Sequence, residues 1–105
     1  MDKAIAVYRS ALSQGIDQSD VTGLANLHFY LGRCLEAQGK LDEAAAHLAE
    51  VARIARSANA NYHCGRVLAA AGRSEEAIPY FVESLRINPR HVSARQALAQ
   101  ASRSR

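Results

Sequence analysis

The four histidines and two cysteines of this 105-residue chain, His28, His47, His63, His91, Cys34 and Cys64, are the first side chains to weigh as metal ligands, nucleophiles or bases. Metal sites need convergent ligands, which in sequence show as Cys-x2-Cys or as two histidines one helical turn apart. Neither pattern occurs, and His63 and Cys64, being adjacent, point about 100° apart on a helix. No metal and no cofactor is therefore expected. The acidic doublets Asp42-Glu43 and Glu75-Glu76 are poor candidates for an acid–base pair. Each opens an apolar-periodic run, where carboxylates complement the positive end of a helix. Without a glycine-rich phosphate loop or a nucleophile elbow, no catalytic residue is expected and the chain reads as a non-enzyme.

The elements that carry these residues repeat. Placing residues 25–57 over 58–90 at an offset of 33 gives twelve identities, among them Asn26/Asn59, Gly32/Gly65, Arg33/Arg66, Gly39/Gly72, Ala44/Ala77, Glu50/Glu83 and Arg53/Arg86. Each unit reads as two helices around a glycine turn. Leu27, Leu31, Cys34 and Leu35 recur at helical spacing before Gly39-Lys40, and Ala44, Leu48, Val51 and Ala52 follow it. In the second unit Cys64, Val67, Leu68 and Ala71 precede Gly72-Arg73, and Ala77, Phe81 and Leu85 follow, until Asn88-Pro89 stops the run. Turns this short force antiparallel hairpins. One hairpin cannot bury both its apolar faces, so successive hairpins must stack into an all-α solenoid. Gly32 and Gly65 each cost about 1 kcal/mol in a helix interior, which is reasonable only where another helix comes very close.

In its spacing the repeat resembles the tetratricopeptide repeat, W-x2-L-G-x2-Y…A-x3-F…P. The first unit has His28-x2-Leu31-Gly32-x2-Leu35 and Ala44-x3-Leu48; the second has Asn61-x2-Cys64-Gly65-x2-Leu68, Ala77-x3-Phe81 and Pro89. His28 and Asn61 replace the large aromatic, and Arg56 stands where the first unit lacks its proline. Ala4, Tyr8 and Ala11 repeat the small-large-small spacing of Ala77, Phe81 and Ser84. The expected organisation is one domain over 1–105: a leading helix (1–13), a polar connection (Ser13–Thr22), repeat 1 (25–57), repeat 2 (58–90) and a capping helix (91–102) bearing Val92, Ala94, Ala97, Leu98 and Ala101. Pro79 is expected within about the first turn of its helix, with little bending.

The resemblance implies a scaffold or adaptor module in which the first helix of each hairpin lines a concave groove for a peptide or partner protein. Carried over residue by residue, the lining would be Asn26, Phe29, Arg33 and Glu36, with Asn59, Tyr62, Arg66 and Ala69. Stacking would set amide beside amide, ring beside ring and guanidinium beside guanidinium. Arg33 and Arg66 would then take an acidic or C-terminal partner segment, flanked by Phe29 and Tyr62.

Two other roles fit a helical repeat. One is a regulatory or substrate-binding segment of a larger enzyme such as a transferase; the other is an RNA reader. The formal charge of +3 is mild for nucleic acid, and 33 residues is shorter than the RNA-reading repeat of about 35. The leading helix, with Ala4, Ile5, Val7, Tyr8 and Leu12, offers an apolar strip for a homodimer. Two cysteines inside helical patterns point to a reducing, cytoplasmic compartment. No apolar run reaches the roughly 20 residues of a membrane span, and the N-terminus lacks a signal-peptide pattern.

Overall fold

The computed structural model describes residues 21–103, with side chains from residue 25 onward. It contains five helices and, among the described residues, no strand: α1 (Val21–Ala37), α2 (Leu41–Ala55), α3 (Ala58–Ala70), α4 (Ser74–Ile87) and α5 (Val92–Arg103). The leading helix and most of the polar connection expected before the first repeat lie outside the described residues. Val21 and Thr22, which that connection was expected to include, already belong to α1.

The hairpins α1/α2 and α3/α4 close in the same way. Gly39 at φ +78° and Gly72 at φ +81° take the left-handed conformation. Gly39 N–H donates to Glu36 O (2.9 Å) and Lys40 N–H to Leu35 O (2.9 Å), while Gly72 and Arg73 repeat both bonds to Ala69 O (3.1 Å) and Leu68 O (2.9 Å). These paired bonds satisfy the last carbonyls of α1 and α3. A Cβ at either glycine would meet open space, so the positive φ alone asks for glycine.

Only Arg56 and Ser57 separate the hairpins. Arg56 ends α2 in the left-handed region (φ 50°, ψ 39°), its N–H donating to Ala52 O. Ser57 then caps α3: its hydroxyl accepts from Ala60 N–H at 3.0 Å, and its carbonyl accepts from Asn61 Nδ2 at 3.0 Å. Each helix packs mainly on its chain neighbours, with α5 against α4 and a smaller contact to α3.

The core joins Leu31, Leu35, Leu48, Val67, Leu68 and Phe81 with Ala44, Ala77 and Ala101. The helical glycines sit where close approach demands them. A Cβ on Gly32 would lie 3.0 Å from Leu48 Cγ, and one on Gly65 only 2.6 Å from Phe81 Cε1. Cys64 is fully buried and donates to Ala45 O at 3.7 Å; burial pushes its thiol up to about 11, so it stays protonated and packs rather than reacts. Two expectations change. Pro79 lies in the second turn of α4 rather than the first; the helix runs on through it, with the ring exposed. Val92 is 62% exposed, so α5 covers the last hairpin with Ala94 and Ala101 instead, flanked by half-buried Ala97 and Leu98.

Candidate functional site

α1 and α3 lie side by side and bring their N-terminal halves around a cleft of about 270 Å³. Asn26 and Phe29 of α1 line one wall, and Asn59, Ala60 and His63 of α3 the other, with Val51 of α2 contributing to the lining. The two asparagines are exposed, and Asn59 is held in place by His91 Nε2, 2.8 Å from its Oδ1. His91 in turn accepts from Ala94 N–H (3.1 Å) and so caps α5. The amide pair therefore faces one cleft.

The aromatic groups mesh differently from a simple row. Phe29 meets His63, not Tyr62, with ring centroids 6.0 Å apart at 73°. Tyr62 lies against His63 (5.3 Å), His91 (5.0 Å) and Phe81 (6.3 Å), which ties the cleft wall to the core. Burial, then the charges of Arg66 and Arg33, lower the His63 pKa against the opposing charge of Glu36, which favours the neutral ring.

Nor do the guanidiniums stand side by side. Arg66 donates through Nη1 (2.5 Å) and Nη2 (3.0 Å) to the two oxygens of Glu36, forming a bidentate tie between α3 and α1. Arg33 lies over the Phe29 ring at 5.9 Å and only grazes Glu36 at 3.6 Å. Glu36 thus sits between the two arginines as an internal carboxylate. Of the residues carried over as a binding set, Arg33 is the guanidinium left open to solvent, Arg66 is half-buried and engaged, and Ala69 is half-buried.

Hydrogen bonds from Arg66 hold the Glu36 carboxyl below the usual carboxylate range, burial opposing them and the charges of Arg66 and Arg33 adding. The folded chain therefore takes up this proton less readily than the unfolded one. Its stabilisation is complete above the ordinary carboxylate pKa of about 4.3 and is lost as pH falls through the depressed value. Glu36→Gln is expected to be less stable than wild type at pH 7 and to lose less of its urea midpoint between pH 6 and 3; parallel pH profiles would show that the tie contributes nothing.

On the far side of the first hairpin, His28 and His47 face each other with Nδ1 atoms 3.0 Å apart. Nineteen residues separate them, so only the closed hairpin joins them, and sequence spacing hid the pair. Ring centroids 5.2 Å apart set the nitrogens nearly head-on, as in a shared N–H···N bond. Among the described residues no group of three or more His, Cys, Asp or Glu could hold a metal ion, and no helix is long and apolar enough to cross a membrane.

Fold and cleft together define a tandem helical-hairpin solenoid with a cleft between the first helices of its two hairpins. Tetratricopeptide repeat models match residues 25–57 and 58–91, each spanning one hairpin. The chain belongs to the tetratricopeptide repeat family. No curated protein matches it. Repeats of this family are in general protein–protein interaction modules and typically not catalysts.

Proposed function

We propose that the chain is a scaffold or adaptor domain that holds an extended segment of a partner protein along the concave face of α1 and α3. The cleft of about 270 Å³ between Asn26, Phe29, Asn59 and His63 carries this reading, because it combines two outward amides with a partly apolar floor. Side-chain amides can pair with a peptide backbone of any sequence, and Phe29 gives an apolar anchor. Arg33 adds charge selectivity. Arg33 and Arg66 outnumber Glu36, so the face favours an acidic residue of the partner, which meets Arg33 first and competes with Glu36 for Arg66.

The unit is taken as one domain, its two repeats followed by α5. The test is affinity capture from cell extract, followed by isothermal titration with the captured partner, for wild type and Arg33→Glu/Arg66→Glu. Binding is expected to weaken by about tenfold or more while helicity is retained. Equal affinity for the two proteins would end the acidic-segment reading. Affinity unchanged also in Asn26→Ala/Asn59→Ala would move the site off this face.

A further inference from the structure

A second cleft, between the second helices of the two hairpins, shares no lining residue with the first. α2 and α4 barely touch, and between them opens a space of about 350 Å³, lined by Ala49, Ala52 and Tyr80 with buried Asn61 beneath. Three guanidiniums, Arg53, Arg56 and Arg86, line it with Glu83. Arg53 and Arg86 hold equivalent places in the two repeats, and each is fixed by a glutamate one turn earlier. Arg53 donates through Nε (3.2 Å) and Nη2 (2.7 Å) to Glu50, and Arg86 through Nε (2.8 Å) and Nη2 to Glu83. Both use the same edge, which leaves each Nη1 without an acceptor among the described residues. Arg56 is less constrained still: its side chain makes no hydrogen bond or ion pair among those residues.

The backbone of Arg56 is the more telling observation. A residue that closes a helix at φ 50° is ordinarily Gly or Asn, because a Cβ is strained there. Strained non-glycine residues cluster at functional sites, and this side chain meets the described fold only through the effect of its charge on Glu83, with no hydrogen bond or ion pair of its own. Three guanidiniums against Glu50 and Glu83 leave one positive charge uncompensated. Pre-oriented N–H donors around a positive excess are what recognise a tetrahedral oxyanion.

We propose that this second cleft is a phosphate-binding site, with Arg56 supplying the unpaired guanidinium and Arg53 and Arg86 their free Nη1 corners. The phosphate can arrive free or on a phosphorylated side chain, and both share this chemistry. The full chain, labelled with 15N, is titrated with inorganic phosphate, with chloride at matched ionic strength, and with two short peptides that differ by one phosphoserine. Saturable shifts centred on Arg56, Asn61 and Arg86 are expected with phosphate and not with chloride. A phosphoserine peptide tighter than inorganic phosphate assigns the group to a protein; the reverse order assigns it to free phosphate. Arg56→Gly separates binding from folding, since glycine suits the backbone: its melting temperature should rise while phosphate affinity falls at least about tenfold. Arg90→Gln, outside the cleft, removes the same charge and should leave affinity unchanged. Shifts that never saturate, that chloride reproduces, or that persist in Arg56→Gly overturn the site, whatever becomes of the concave groove.

Discussion

Phe81→Ala is expected to destabilise the domain by about 3–5 kcal/mol, enough to lower its thermal midpoint by roughly 15 °C or more. Phe81 is the largest of the fully buried side chains, 1% exposed, and closes the second hairpin over Gly65 while touching Tyr62. Its removal opens a cavity between α3 and α4 that alanine-rich neighbours cannot fill by shifting rotamers. Circular dichroism on heating reads the effect directly. A loss below about 1 kcal/mol would mean that the two helices collapse onto each other and that the ring is not their spacer.

Gly65→Ala ranks next, and here the direction runs against helix propensity. Alanine in a helix interior gains up to about 1 kcal/mol over glycine. At Gly65, however, the added Cβ lies 2.6 Å from Cε1 and 2.9 Å from Cδ1 of Phe81, a ring enclosed on every side. Overpacking of this kind costs about 1–3 kcal/mol, so a net loss of about 2 kcal/mol is expected. The same change at Gly32 meets Leu48 Cγ at 3.0 Å, a looser approach than the 2.6 Å at Gly65, and should be milder. Because the first repeat pairs its glycine with leucine, Phe81→Leu is expected to restore part of the loss in Gly65→Ala. Chemical denaturation of the two single variants and the double settles it: additive losses would rule out a direct clash.

Helix identity and pairing were legible because their causes are local. The 33-residue echo, the turn glycines and the small residues at Gly32, Gly65, Ala44 and Ala77 each act within one hairpin, and the structure puts all four of the latter in tight packing. The candidate site was read less completely. Equivalence between repeats put Phe29 beside Tyr62 and Arg33 beside Arg66. Adjacent helices are staggered, though, so Phe29 meets His63, one place further along α3. Glu36 has no counterpart in the second repeat, where Ala69 stands. A pattern built on matches gave it no special role, yet it engages Arg66 through both carboxylate oxygens. His28 and His47 were invisible as a pair because no one-dimensional spacing announces a contact across a hairpin. An acidic residue three positions after Arg33, with alanine at the same distance after Arg66, was the signal available for Glu36.

The reliance of each helix on its immediate neighbours in the chain has a kinetic side. Almost every contact closes within one repeat length, so the described helices need no distant segments to find one another before packing begins. Structure can start at either hairpin and spread outward, with the rapid collapse of low contact order rather than the slow search of a sheet.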